Sequence, residues 1–346
     1  MQTQDIKRRI KSVKSTQQIT KAMKFVAAAK LRRSQERMMA MRPYADALDS
    51  LIKHVARDLI GDEHPLFHRN PEPRRAAFII IAGDRGLCGG FNTSILKASL
   101  EYVKARKNIE PVFFAIGKQA ASTIRKTGYR MVKSYHDVFE KLSYVLAGSL
   151  CDQLVEMTMT HDSSEHIDEA YLVYSEFVSM LTQKPVVKRL IPVDYTAFLP
   201  QAERPEGQAA DDDVEVADGD ILEEVLLEES PDDIFDESDI EDEIITERGE
   251  AEAAATKAPP RPIYELLPTP ASALEKLISR RMATEVYRGT LESYAAELAA
   301  RMTAMDNATA NADEMIASLT LSFNRARQTG ITSELLDIIG GANALG

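Results

Sequence analysis

The feature that most constrains this chain is a heptad repeat in its last third. Successive positions of the repeat are alternately four and three residues apart. All but one of them are apolar: Leu291, Ala295, Leu298, Met302, Met305, Thr309, Ala312, Ile316, Leu319, Phe323 and Ala326. No proline follows Pro270 to interrupt a helix. A seam of this length predicts a long helix that packs against a partner helix.

The partner helix is expected at the other end of the same chain. Residues 2–59 contain no glycine and one proline, Pro43, which is expected to kink the helix or to mark a join. A polar run, Ser15–Gln18, is interpreted as a phase shift within its apolar stripe, which consists of Ile6, Ile10, Val13, Ile19, Met23 and Val26. The two chain ends are therefore predicted to form a helical hairpin, or shaft.

Between the two ends, short apolar runs alternate with helical segments. Strands are predicted at 76–82, 112–117, 170–175 and 186–193, with helices at 93–107, 118–126 and 140–160. This alternation is typical of an open α/β sheet with mainly parallel strands. The predicted segments are a shaft helix at 1–60, a central α/β domain at 74–200, an acidic insertion at 201–262 and a second shaft helix at 270–346.

The net charge of −12 is unevenly distributed. Gln201–Lys257 holds 23 acidic residues against three basic ones, whereas Met1–Arg42 holds 12 basic residues against two acidic ones. This asymmetry indicates acidic partners for the first helix, or an internal acidic segment that competes for the basic surface. The composition of the insertion is typical of disorder.

Composition argues against several classes of protein. No run approaches ~18 consecutive apolar residues, so no membrane-spanning helix is predicted. The basic start resembles a transit peptide in composition, but the helical pattern continues through it without a cleavage-like break. Two cysteines, Cys88 and Cys151, fit a reducing compartment and are interpreted as buried and inert.

A glycine-rich loop, Gly83–Asn92, follows a predicted strand and precedes a helix, where phosphate-binding loops occur. It lacks both the Gly-Lys-Ser/Thr of a P-loop and the G-x-G-x-x-G spacing, so it is interpreted as a surface turn that presents Asp84 and Arg85. The histidines form no convincing ligand set, and no nucleophile–base pairing can be placed. We therefore predict no catalytic residue, metal or cofactor.

The last part of the heptad repeat combines polar and apolar groups. Arg325 and Arg327 can make forked contacts with carboxylates, and Gln328, Thr332 and Glu334 add further donors and acceptors. Residues 335–345 are too apolar to remain in water, so they are predicted to insert into a partner.

Three separated blocks of sequence carry a resemblance to a known family. They are TQQITKAMKFVAAAKL at 16–31, DRGLCGG at 84–90, and MTAMDNAT at 302–309 followed by NRARQ at 324–328 and Ile331-Thr332. In this order they resemble the gamma-subunit family of the F-type ATP synthases. The resemblance spans the chain except for the acidic insertion.

This resemblance implies a rotor that couples ion-driven rotation to ATP synthesis or hydrolysis at sites on the beta subunits. The two terminal helices would form an antiparallel coiled coil inside a ring of alpha and beta subunits. The α/β domain would contact the epsilon subunit and the c-ring. The protein would be peripheral to the cytoplasmic face of the bacterial cell membrane; the coupling ion and the direction of catalysis are not indicated.

The resemblance also implies roles for individual residues. Arg327, Gln328, Thr332 and Glu334 match positions that contact loops of the beta subunits. Met23 and Lys24 lie in the block that faces an acidic lever of a beta subunit, and Arg85 and Cys88 lie in a loop near that lever.

Gly83 and the insertion depart from the family pattern. Gly83 replaces a small hydroxyl residue, and the long insertion has no cysteine, which rules out a thiol switch within it. The insertion could restrain rotation through its charge or be an inert loop. Two other classes of function stay open: a nucleotide-dependent enzyme built on the α/β domain, and a coiled-coil scaffold that binds nucleic acid through its basic first helix.

Overall fold

The computed structural model describes residues 3–59, 66–67, 69–106, 108–160, 165–193, 213–215 and 270–344. They belong to one compact unit formed by Met1–Val216 and Pro270–Gly346. The second unit, Ala217–Thr269, lies outside the described residues. In chain order the elements are α1 (Thr3–Leu59), β1 (Arg75–Ile81), α2 (Phe91–Ala105), β2 (Glu110–Ile116), α3 (Lys118–Thr127), β3 (Arg130–Tyr135), α4 (Val138–Lys141), α5 (Tyr144–Met159), β4 (Glu169–Phe177), β5 (Gln183–Ile191), β6 (Asp213–Glu215) and α6 (Pro270–Ala344).

The predicted shaft consists of α1 and α6, which pack antiparallel. Three contacts fix the register: Arg281 with Asp49 (3.1 Å), the Ser34 hydroxyl with the Leu291 carbonyl (3.3 Å), and Thr20 with Thr309 (2.7 Å). Pro43 lies inside α1, which continues through it. At 1.5 Å per residue α1 is about 85 Å long and α6 about 110 Å.

The heptad seam of α6 is confirmed, because all of its positions from Leu291 to Ala326 are buried or half-buried. The predicted stripe of α1 is wrong in its second half, where Ile19 and Val26 are more than half exposed. The spacing of four and three instead continues from Val13 without a shift. The members of this series are all buried or half-buried: Ile6, Ile10, Val13, Gln17, Thr20, Lys24, Ala27, Leu31, Ser34, Met38, Met41, Ala45, Leu48 and Ile52.

The central sheet has the strand order β3-β2-β1-β4-β5-β6. The first four strands are parallel, as predicted, and their apolar residues form a core with α2 and α3. β4 and β5 form an antiparallel hairpin, and β6 extends it with three residues of the acidic insertion. The predicted mainly parallel α/β sheet is therefore confirmed, with an antiparallel side.

Two further differences from the predicted elements have simple physical causes. β3 has no continuous apolar run, because it is an edge strand whose residues are half-buried or exposed, and the apolar pattern missed it. The single helix expected at 140–160 is interrupted at Leu142, whose φ of 35° is outside the helical region. The chain therefore forms the short α4 and then α5.

α6 also fastens the shaft to the sheet. Gly289 faces β4 so closely that a Cβ atom there would lie 3.0 Å from Leu172 Cδ2. Four residues later, the Ser293 hydroxyl donates to the Ile81 carbonyl at the end of β1 (3.3 Å). Beyond this point α6 passes the edge at which the four parallel strands end, here called the carboxyl edge.

A partly buried charged cluster lies where α6 meets the β4–β5 hairpin. Arg288 lies between Glu285 (3.0 Å) and Glu292 (3.4 Å), and Lys188 also reaches Glu285 (3.5 Å). One carboxylate oxygen of Glu292 is buried without a hydrogen-bond partner. Burial raises the pKa of Glu292; Arg288 opposes the rise, and the neighbouring Glu176 adds to it.

Glu292→Gln is therefore expected to stabilise the protein at neutral pH by about 1 kcal/mol, because it removes a poorly solvated charge. A carboxylic acid whose pKa is higher in the folded than in the unfolded state destabilises the fold at pH values above the folded-state pKa, where it is ionised. Below the unfolded-state pKa it is protonated in both states and has no such effect. The gain should therefore shrink as the pH falls towards 4.5, the ordinary glutamate value. Denaturant unfolding between pH 4 and 8 would measure it, with the exposed Glu314→Gln as the control. A stabilisation by Glu292→Gln that does not change with pH would contradict a raised pKa for Glu292.

Candidate functional site

Part of the shaft has polar residues inside and apolar residues outside. Across the seam, Gln17 contacts Asp313, Thr20 bonds to Thr309, and Lys24 pairs with Asp306 at 2.5 Å. Over the same turns of α1 the large apolar side chains Ile19, Phe25 and Val26 face outward, each more than half exposed. We call residues 17–26 of α1 the inverted segment.

The polar seam pairs fix the register of the two helices, because a slip would leave their groups unpaired. The outward apolar side chains do not help to fix the register within the described residues. A row of exposed apolar side chains next to lysines is typical of a surface that binds a partner. Met23 is half-buried beside this row. Lys24 is engaged with Asp306 across the seam, which the sequence did not indicate.

The glycine-rich loop at the carboxyl edge is held by Asp84. One carboxylate oxygen accepts a hydrogen bond from the Lys118 amide at the start of α3, and the other accepts one from the Asp137 amide before α4 (both 3.0 Å). Asp84 thus ties together the chain segments that follow β1, β2 and β3. Asp84 is half-buried, and both of its carboxylate oxygens accept hydrogen bonds within the fold.

The same loop is packed against α6. Arg301 pairs with Glu297 and also donates to the Gly86 carbonyl (3.3 Å), and a Cβ atom on Gly83 would lie 3.2 Å from Glu297. Burial raises the pKa of Glu297, although Arg301 opposes the rise. Two carboxylates, those of Asp84 and Glu297, therefore border the loop, which makes it a poor site for phosphate.

Arg85 and Cys88 differ in exposure. The Arg85 side chain is 80% exposed and pairs with Glu140 at 3.3 Å, so it is available to a partner. Cys88 is buried, and its sulfur accepts a hydrogen bond from the Asn92 side chain (3.2 Å). Burial raises the pKa of the Cys88 thiol, and Glu297 adds to the rise. Cys151 is fully buried, and burial likewise raises its pKa.

The end of α6 extends beyond the start of α1. The register brings Thr3, the first described residue of α1, level with Arg327, so residues 328–344, here called the tip, have no helical partner among the described residues. The large apolar side chains of the tip whose exposure is known are all more than half exposed: Ile331, Leu335, Leu336, Ile338 and Ile339.

The predicted polar contacts near the tip lie on more than one face of α6. Gln328 and Thr332 are one turn apart on the same face, and the Thr332 hydroxyl donates to the Gln328 carbonyl (2.9 Å). Arg327 is exposed on a neighbouring face. Glu334 lies on the helix, but its side chain is outside the described part of the structure.

Neither a membrane-spanning helix nor a cluster of potential metal ligands occurs among the described residues. His166 lies 3.6 Å from Asp168, at the opposite edge of the sheet from the glycine-rich loop. His64, His68 and His161 lie outside the described residues.

Known proteins share both the sequence and the fold of this chain. A family model described as ATP synthase matches residues 2–345. The ATP synthase gamma chain of Pelotomaculum thermopropionicum is 38% identical over 99% of this chain and 98% of its own length. That of Desulforamulus reducens is 39% identical over the same shares.

A solved structure agrees at the level of the fold. The rotor of the Euglena gracilis mitochondrial ATP synthase matches with a TM-score of 0.57 and 18% identity, covering 95% of this chain and 98% of that one. None of these matches supports a scaffold that binds nucleic acid. With relatives aligned over almost their whole lengths, the chain belongs to the gamma-chain family of ATP synthase and is a subunit of that enzyme's central stalk.

Proposed function

We propose that the tip of α6 and the inverted segment of α1 are the surfaces through which this central-stalk subunit acts on the catalytic beta subunits. The observation that carries the proposal is the tip, a lone helix whose known large apolar side chains are more than half exposed. Such a helix gains free energy when an enclosing partner removes it from water, at roughly 25 cal/mol per Å² of apolar area. A ring of alpha and beta subunits provides such an enclosure.

The polar residues beside the tip are proposed to make the directional contacts. Gln328 and Thr332 would contact a loop of one beta subunit, while Arg327 and Glu334 would contact a neighbouring one. Because these residues lie in two neighbouring rows and not in a single one, beta subunits at different positions around the shaft meet different faces of it. A rotor that binds the three subunits differently can favour a different conformation in each.

Lower on the shaft, the inverted segment is proposed to meet the acidic lever of a beta subunit. Met23 and Phe25 would supply apolar contact, and Lys24 would exchange its partner Asp306 for the lever. The Lys24–Asp306 pair is 35% and 59% exposed, and exposed pairs contribute only about 0–1 kcal/mol. An exchange of this kind can be made and broken at every turn of the shaft.

The glycine-rich loop is proposed to add a second charged contact near the same lever. Arg85 can leave Glu140 at low cost, because both side chains are largely exposed. Cys88 would act through the position of the loop, since its thiol is buried. No residue of this chain is proposed to take part in the chemistry of ATP, which would occur on the beta subunits.

The end of the sheet domain that points away from the tip is proposed to contact the epsilon subunit and the c-ring. Through them the protein would be peripheral to the cytoplasmic face of the bacterial cell membrane. Rotation of the ring would turn the domain, and α6 would carry the rotation to the tip, because α6 is packed against both β4 and the end of β1.

The tagged full-length chain, co-expressed with its alpha and beta subunits, is expected to purify as a complex with ATPase activity. Serine at Leu335, Leu336, Ile338 and Ile339 should raise the dissociation constant of that complex by about tenfold or more, since buried apolar contacts near the centre of an interface dominate affinity. Size-exclusion chromatography over a dilution series measures the change.

Met39→Ser is the matched control for the tip variant, because Met39 is 66% exposed on the shaft far from the tip. It should leave the dissociation constant unchanged. Equal affinity of the tip variant and the wild type would show that the ring does not bury the tip.

A further inference from the structure

The turn between β4 and β5 carries a second exposed apolar surface, distinct from the tip. Within Val178–Thr182, here called the hairpin turn, Val178 is 53% exposed, Met180 46% and Leu181 82%. Single exposed apolar side chains are common on soluble proteins. Three within four residues form a contiguous patch, which is typical of a binding surface.

Hydrogen bonds within the hairpin turn hold this patch in one conformation. The Ser179 amide donates to the Thr182 carbonyl (3.0 Å), and the Ser179 hydroxyl accepts from the amides of Leu181 (3.3 Å) and Thr182 (3.0 Å). The Gln183 side chain donates to the carbonyls of Ser179 (3.3 Å) and Met180 (3.0 Å). A turn fixed in this way loses little conformational freedom on binding.

The base of the turn places it beside the shaft. Phe177 packs both on the sheet core and on the shaft cluster formed by Ala27, Leu31, Ala295, Leu298 and Ala299. The turn follows β4 and therefore lies at the carboxyl edge, where α6 leaves the sheet towards its tip. The glycine-rich loop lies at the same edge, on the side of α6 that carries Glu297 and Arg301.

We propose that the hairpin turn is a further contact with the catalytic ring, and that it docks on an apolar surface around the opening through which the shaft enters. This inference rests on the proposed function. It adds a contact on the sheet domain itself, which neither the tip nor the inverted segment provides.

Two properties of the turn favour the ring over other occupants. The patch lies at the edge of the sheet that faces the tip, whereas the c-ring and epsilon are assigned to the opposite end of the domain. Several of its polar groups are also satisfied internally, so its contacts are apolar and non-directional. A contact of this kind can slide from one ring subunit to the next without breaking hydrogen bonds.

A cysteine at the most exposed position provides the test. The two native thiols, Cys88 and Cys151, are 2% and 0% exposed, so a maleimide should label Leu181→Cys selectively in the folded chain. Labelling is expected to be at least about tenfold slower in the complex with alpha and beta than in the free chain, because a packed interface excludes the reagent. Val145→Cys is the matched control, since Val145 is 77% exposed on α5 and should label equally in both.

The other outcomes identify other occupants. Equal labelling of Leu181→Cys in the free chain and the complex, or protection only after epsilon and the c-ring are added, would overturn the inference. Protection in the free chain that grows with its concentration would indicate a second copy of the chain and would also overturn it. Failure to form any complex with alpha and beta would instead contradict the proposed function, and the inference with it.

Discussion

Replacing Gly117 by alanine is expected to destabilise the sheet domain by more than about 4 kcal/mol, enough to prevent folding of many domains. Gly117 directly follows β2 and has φ 96° and ψ 149°, a conformation that is essentially restricted to glycine. A Cβ atom there would lie 2.0 Å from the Ala82 carbonyl oxygen and 2.8 Å from its carbon. These are backbone atoms at the end of β1, so they cannot move aside without breaking the sheet.

Gly128→Ala is the matched control, because Gly128 also has a positive φ, 77°, at the end of α3. A Cβ atom there would meet nothing within 4 Å, so only the backbone strain of about 1–2 kcal/mol is expected. Denaturant unfolding followed by tyrosine fluorescence reports on the sheet, since the chain has no tryptophan and Tyr171 lies in the core. Similar unfolding midpoints for the two variants would contradict the predicted overlap.

Ala295→Asp is expected to separate the two shaft helices. Ala295 is fully buried in the seam, in a cluster with Ala27, Leu31 and Leu298. An aspartate would bring a charge into this apolar contact without a partner, at a cost of about 3 kcal/mol or more. For a chain of this size the thermal midpoint should fall by about 4 °C or more, as measured by circular dichroism of the helices.

Ala310→Asp makes the same change at an exposed position of α6 and controls for helix propensity. It should unfold close to the wild-type temperature. In the complex, Ala295→Asp should also lose ATP-driven ion pumping, because a shaft whose helices have separated cannot carry rotation to the tip. Pumping at the wild-type rate would show that α6 alone is a sufficient shaft.

Much of the fold was readable in local patterns. The heptad seam of α6 and the apolar strands β1, β2, β4 and β5 were predicted because hydrophobic periodicity records which face of an element is buried. The apolar end of α6, residues 335–345, was recognised from its composition, which is too apolar to remain in water. β3 was not found, because an edge strand buries too little for its pattern to stand out.

The inverted segment shows that apolar residues alone do not identify the seam positions of α1. The spacing of four and three runs through Gln17, Thr20 and Lys24, so the correct seam was present in the sequence. It was overlooked because those positions are polar, while Ile19 and Val26 next to them are apolar. A polar seam position is tolerated only when its partner on the other helix is polar too, and that partner is almost 300 residues away.

The sequence by itself determined the two long helices and the parallel strands between them, because each of these is recorded in the spacing of neighbouring residues. The apolar character of the end of α6 was recorded in its composition. Only the tertiary structure decided that Asp84 ties three loops together, that Lys24 is held by Asp306, and that the hairpin turn lies beside the shaft. These features depend on residues distant in sequence that meet in one register. No local pattern specifies that register, because it is set by the packing of the two helices against each other and against the sheet.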